Sequence, residues 1–420
     1  MTITVTKLAN GVQVVTDRMD TVETASVGAW IGVGARHEPA EINGISHLLE
    51  HMAFKGTERR SAQAISEEIE AVGGHLNAYT SRENTAFYAK ILKEDAGLAL
   101  DIVADIIQHA VIDPDELERE RQVIIQEINQ ANDTPDDIIF DHFNEAAYPG
   151  QAIGRPVLGS AEIVGTVPRE TVFGYMRGEY AAPRIVVSAA GRIDHDNFVK
   201  LAEKAFTSVA PSGSATADRP HYQGGERREK RDLDQVQIVL GFDGISYTDP
   251  DYYALAIHST LLGGGMSSRL FQEAREKRGL VYSIYSFSQS YEDGGLYGVY
   301  AGTGEDEAAD LIPLIAQEML AVCNHVRPEE MHRARAQLKA STLMALESTS
   351  SRAEQAARQL QIYGRIIPVE ETIARIEDVD IAAVQRIGAR ILKSPLTLTA
   401  IGPTDGIEPY DAIAARFAAA

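Results

Sequence analysis

Three side chains within one helical turn and a half can act together chemically: His47, Glu50 and His51, spaced H-x-x-E-H in Gly44-Ile45-Ser46-His47-Leu48-Leu49-Glu50-His51-Met52. Each residue of an α-helix advances roughly 100° around the axis, so these three share one face. Ile45, Leu48, Leu49 and Met52 fall on the opposite, apolar face. Two imidazoles one turn apart can grip a single metal ion, and a carboxylate beside them can take a proton from a water that the ion activates. The pattern is the inverted form of the H-E-x-x-H zinc motif. Two surface histidines beside a solvated glutamate read the same way, so a third ligand matters.

Hydrolytic zinc sites usually take three protein ligands and keep the fourth position for water. The segment expected as a helix over 114–132 offers the third. Its Glu120 and Glu127 lie two turns apart on one face, flanked by Leu117, Val123, Ile124 and Ile128, while Arg119, Arg121 and Gln122 point elsewhere. A carboxylate on a core-facing surface needs a cationic or metal partner. Glu127 is therefore the candidate ligand and Glu120 the candidate orienter of a ligand. The alternative pairs both with nearby arginines.

The elements that must position these groups follow from periodicity and turn signals. Asn10-Gly11 marks a hairpin turn, and the apolar run 25–33 is a strand leading into a helix at about 43–54. A second helix, 61–72, stops at Gly73-Gly74. Strands 75–80 and 85–92 follow, then helices over 95–110, 114–132, 137–147, 168–178 and 194–209, with a strand at 184–190. The small, polar stretch 211–220 reads as a linker.

The second half repeats the first. Strand 236–241, helix 252–262, a further helix at 268–277 and strands 282–289 and 295–302 come in the order of their first-half counterparts. Val167, Pro183 and Gly191 recur as Val379, Pro395 and Gly402, at an offset of 211–212 residues. The helix at 252–262 carries no H-x-x-E-H and no acidic residue. A repeat near half the chain length indicates duplication of a domain of about 200 residues. The expected fold is α+β: two tandem homologous domains, each a mixed, largely antiparallel sheet with helices packed on one face. The expected boundaries are 1–210 for a metal-binding domain, 211–230 for a linker and 231–420 for a metal-free domain.

Bulk properties set limits on partners. The 420 residues hold 61 acidic against 39 basic side chains, a net charge of −22, which argues against a nucleic-acid partner. Cys323 is the single cysteine, so no intrachain disulfide forms. No run of about 18 apolar residues is present, so no membrane span is expected. The N-terminus alternates apolar and polar residues like a strand rather than a signal peptide, so a cytoplasmic location is expected.

The motifs together resemble the pitrilysin, insulysin and mitochondrial processing peptidase family. His47-Leu48-Leu49-Glu50-His51 with Glu127 placed 76 residues beyond His51, Gly73 to Glu83, and Arg275-Glu276-Lys277-Arg278-Gly279-Leu280-Val281-Tyr282 carry the resemblance over nearly the whole chain. The likeness is greatest to the catalytic β-subunit of the processing peptidase and its bacterial relatives. It implies a peptide-bond hydrolase with one zinc ion per chain on His47, His51 and Glu127, Glu50 as general base, and Glu120 behind the ligands. It further implies that substrate adds as a β-strand along Leu76, Asn77, Ala78 and Tyr79, and that Arg275 and Tyr282 contact substrate. For a chain of two repeats, that pair comes from a partner subunit, giving a homodimeric clamshell with composite sites. A heterodimer with a distinct partner, and a non-catalytic assembly subunit of the same fold, are the alternatives. Gly263-Gly264-Gly265-Met266 is short beside the long glycine-rich loop of the non-catalytic α-subunit and reads as a plain turn.

Overall fold

Strong β-formers alternate with short turns in the first half, and they close into one sheet. Its strands are β1 (Thr2–Lys7), β2 (Gln13–Arg18), β3 (Thr24–Ile31), β4 (His75–Thr80), β5 (Thr85–Leu92) and β6 (Ile185–Gly191). The computed structural model describes residues 2–418. The spatial order is β1-β2-β6-β3-β5-β4, antiparallel throughout except for the parallel pair β2 and β6. The second half supplies β7 (Gly225–Lys230), β8 (Val236–Asp243), β9 (Val281–Ser290), β10 (Gly295–Thr303) and β11 (Thr397–Gly402), ordered β7-β11-β8-β10-β9. Here too a single pair, β7 and β11, runs parallel. Strand for strand this is the first sheet without β1, so the fold is α+β with two homologous modules.

Helices α1 (Ile45–Ala53), α2 (Ala62–Glu70), α3 (Ala96–His109), α4 (Pro114–Asn132) and α5 (Pro135–Ala147) follow in the first half. Ile45, Leu48, Leu49 and Met52 of α1 are fully buried with Ile102, Val103 and Ile106 of α3 against Val27, Ala29, Phe87 and Ala89 of the sheet. Burial of each large aliphatic side chain contributes about 1.5–3 kcal/mol, so the apolar stripe of α1 is what seats the metal motif. The counterpart core under the second sheet gathers Ile257 and Leu261 of helix Tyr252–Gly263 with Leu311 and Ile315 of helix Glu305–Asn324.

Each sheet also carries a helix on its other face, which the expectation of helices on one face did not include. Val15, Trp30, Ala86 and Val186 pack against Ala353, Ala357 and Leu360 of helix Thr349–Tyr363. Ile139 and Phe143 of α5 pack against Val239, Leu296 and Ile401 of the second sheet. The two compact units are accordingly discontinuous: residues up to 129, 155–218 and 344–366 form one, and 130–154, 219–343 and 367 onward form the other. Each takes a helix from the opposite half of the sequence, because both sheets are apolar on both faces. Contiguous domains of 1–210 and 231–420 do not include that exchange, and β7 begins inside the expected linker.

A buried ion pair holds the borrowed helix of the first unit. Arg352 donates from Nε and Nη2 to Asp17 at 2.5 and 2.9 Å. The expected helix over 268–277 is present, and its last six residues, Phe271–Glu276, are wound as a π-helix. Among the described residues no helix is long and apolar enough to cross a membrane.

Candidate metal centre

The start of α1 is fastened by a buried carboxylate. Glu38, 2% exposed, accepts from the backbone N–H of Gly44 and Ser46 at 2.7 and 2.8 Å and from the Asn43 amide at 2.8 Å. These satisfy donors that every helix N-terminus leaves free. Burial raises the Glu38 pKa, against those lowering hydrogen bonds. Gly44 has φ 98°, and a Cβ there would meet the Leu158 carbonyl at 2.7 Å, so the sharp entry into α1 requires glycine.

With α1 seated, His47 and His51 project together, their ring centroids 4.6 Å apart at an interplanar angle of 64°. Glu127 of α4 lies opposite, its Oε2 at 3.7 Å from His47 Nε2 and 3.6 Å from His51 Nε2. One donor atom from each of the three lies within 4.8 Å of the others. Ligand atoms about 2.1 Å from a tetrahedral zinc ion stand about 3.4 Å apart, so the trio fits that ion. Burial, with His51 adding to it, lowers the His47 pKa to about 4, which keeps the ring neutral as ligation requires.

Behind the trio, Glu120 accepts at Oε2 from His51 Nδ1 at 2.9 Å. That contact sets the proton on Nδ1 and turns Nε2 toward the site. Lys55 Nζ sits 2.7 Å from the other Glu120 oxygen. Burial alone would raise the Glu120 pKa, yet Lys55 and His51 outweigh it and hold the group below the ordinary range. The buried partner is thus a lysine and a histidine rather than an arginine. His47 Nδ1 is buried and meets no acceptor among the described residues.

Glu50 shares the face of α1 with the histidines. The Thr80 hydroxyl donates to its Oε2 at 2.5 Å. Burial pushes the Glu50 carboxyl up, opposed by Thr80 and by His51, while the Glu127 charge adds to the rise. A carboxyl tuned upward beside the His47, His51 and Glu127 donors takes up a proton more readily than an ordinary glutamate. Thr80 ends β4, an edge strand whose one neighbour in the sheet is β5. Along it Leu76, Ala78 and Tyr79 are half-buried and Asn77 is exposed. Its free edge can accept a further strand.

The insulinase (peptidase family M16) model matches residues 13–161, and the model of the peptidase M16 inactive domain matches 166–338. "Uncharacterized zinc protease YmxG" of Bacillus subtilis (strain 168) is 38% identical over 94% of this chain and 97% of its own length. This chain belongs to peptidase family M16.

The "probable mitochondrial-processing peptidase subunit beta" of Arabidopsis thaliana is 39% identical to the M16 chain over 97% of the chain and 80% of its own length. In fold, the M16 chain matches a chain of the Inz-5-bound complex III2 of Candida albicans with a TM-score of 0.88 at 21% identity, covering 99% and 100% of the two.

The second unit brings two further expected residues together. The Arg275 guanidinium lies 5.2 Å from the Tyr282 ring centroid and 4.9 Å from that of Phe271, and Tyr282 is 73% exposed. One expectation on α4 is corrected: Val123 is 40% exposed rather than part of the core-facing stripe. Arg121 points elsewhere than Glu120 and Glu127, as expected, and is buried there, donating to the Val164 and Val167 carbonyls at 2.6 Å each. Helix Ala161–Thr166 ends at Arg121, so its free carbonyls draw that guanidinium inward. Lys55 and Thr80 were not foreseen as parts of the site. Lys55 lies one turn beyond His51, a spacing that signals its position, whereas Thr80 reaches Glu50 through the fold alone.

Proposed function

We propose that this chain is a zinc-dependent endopeptidase holding one zinc ion per chain on His47, His51 and Glu127. The observation that carries the reading is the mutual approach of those three donors, with Glu50 on the same helical face and Glu120 behind His51. The names of its relatives, a zinc protease and a processing-peptidase β-subunit, support it. A zinc ion in such a site polarises a scissile carbonyl and makes water acidic enough to attack at neutral pH.

The residues divide the remaining work. Thr80 occupies Oε2 of Glu50, which leaves Oε1 to receive the water proton and pass it to the departing amine. Glu120 holds His51 in the tautomer that presents Nε2. A peptide lying along β4 pairs its backbone with Leu76, Asn77, Ala78 and Tyr79, which sets register without reading sequence. The net charge of −22 favours extended, basic peptides. Arg275 and Tyr282 of a second copy complete each site in a homodimer.

Zinc analysis and a peptide-cleavage assay on the purified chain alone test this reading. One zinc per chain with cleavage supports it, and neither metal nor cleavage refutes it. Equal cleavage of matched basic and acidic peptides at low salt removes the charge preference. Mixed dimers of Glu50→Gln and Arg275→Ala chains recover activity if the sites are composite. The similarity to a processing-peptidase β-subunit favours a second reading, a catalytic subunit of a heterodimer, for which zinc is bound but cleavage awaits a distinct partner.

A further inference from the structure

A cavity of about 680 Å³ opens in the first unit where the end of α3, helix Arg169–Glu179 and residues 208–210 meet. Its volume is that of a small-molecule site, which typically spans about 300–1,000 Å³. Ile107, Val111, Met176 and Val209 supply apolar wall, and His109, Arg169 and Arg177 supply the polar groups beside the exposed Glu58.

The two arginines are its distinguishing feature. Arg177 stacks 4.3 Å from the Phe173 ring centroid and Arg169 lies 5.7 Å from the same ring, so both flank one aromatic side chain of the wall. Arg169 donates from Nε and Nη2 to the carbonyls of Ile112 and Val111 at 2.5 and 2.8 Å. Those carbonyls orient the guanidinium without neutralising it. Neither arginine has a carboxylate partner among the described residues, although the chain carries 61 acidic residues. Two guanidinium groups on one ring, neither paired with a carboxylate, in a cleft of mixed polar and apolar wall fit an anion.

We infer that this cavity binds a small organic oxyanion, a carboxylate or phosphate carried on a flat apolar body, with Arg169 and Arg177 taking the charge and the wall of Ile107, Val111, Met176 and Val209 taking the body. The cavity is built from residues outside the metal centre, so the inference stands apart from the peptidase reading.

Isothermal titration of the 420-residue chain tests it with four probes: phenyl phosphate, benzoate, neutral benzamide and inorganic phosphate. Saturable binding of phenyl phosphate or benzoate is expected, and the tighter of the two identifies the anion. Benzamide and inorganic phosphate should each bind at least about tenfold more weakly, because each lacks one half of the recognition. Arg177→Gln, at an exposed position, should weaken the anion at least about tenfold while leaving the unfolding temperature in place. Absence of saturable binding by both aromatic anions at millimolar concentration, benzamide binding as tightly as benzoate, or unchanged binding by a folded Arg177→Gln chain would overturn the inference.

Discussion

Thr80 donates its hydroxyl to Glu50 Oε2 at 2.5 Å, and so ties the last residue of the edge strand β4 to the face of α1 that carries His47 and His51. The strand is held in turn from its other side. The Tyr79 hydroxyl donates to Glu354 at 2.8 Å and accepts from the Asn84 amide, whose oxygen takes a bond from Arg358. Helix Thr349–Tyr363, drawn from the second half of the sequence, thereby orients the strand that orients Glu50.

Removing that contact should slow chemistry rather than binding. Thr80→Val should lower kcat about tenfold or more with KM little changed, since a hydrogen bond to a charged group is lost. Thr80→Ser should restore most of it. Steady-state kinetics on a basic peptide make the comparison, and a Thr80→Val enzyme with unaltered kcat would exclude the positioning role.

Glu120 acts through His51, and its loss should therefore appear in metal affinity. Glu120→Ala removes the acceptor on His51 Nδ1 and the partner of Lys55. Zinc affinity should fall about 10–100-fold. Competition with a chromophoric chelator measures it, and equal affinity in the variant would contradict the assignment.

The Asp17–Arg352 pair should matter for stability. Both side chains are buried, and Arg352→Met leaves the Asp17 carboxylate without its cation. The expected cost is about 3–5 kcal/mol, the usual penalty for stranding one member of a buried pair. Denaturant unfolding checks it; a loss under 1 kcal/mol, on the order of a surface pair, would show that water reaches the site.

Acid sensitivity should trace partly to Glu330 in the second unit. Burial alone would raise its pKa, but hydrogen bonds from Arg327 and Arg269 outweigh that and hold it at about 2, below its ordinary 4.5. A depressed carboxyl stabilises the fold above its unfolded pKa, and the contribution is lost as pH falls from that value through about 2. The stability gap between the wild-type chain and Glu330→Gln should be widest near pH 7 and narrow steadily below pH 4.5. A gap independent of pH between 7 and 3 would remove Glu330 from the account.

Local features of this protein were legible in the sequence because they are carried by local forces. The apolar stripe Ile45, Leu48, Leu49 and Met52 placed α1, and Gly73-Gly74 marked the end of α2. Glu127 stood out as a carboxylate on a helix that needed a partner. The long-range contacts were not legible. That Thr80 meets Glu50, or that residues 349–363 cover the first sheet, depends on pairings far apart in sequence that no periodicity records. The burial of Arg121 was not legible for a related reason, since a single helical face cannot reveal that another helix end approaches from behind.

The most direct test of the central claim is the rate of basic-peptide cleavage by a Glu50→Gln chain whose zinc content is measured in the same sample. The substitution keeps the size of the side chain and removes the carboxylate that moves the proton. Zinc should remain at one ion per chain while the rate falls by about 10²–10⁴-fold. A zinc-loaded Glu50→Gln chain that cleaves at the wild-type rate would contradict the account.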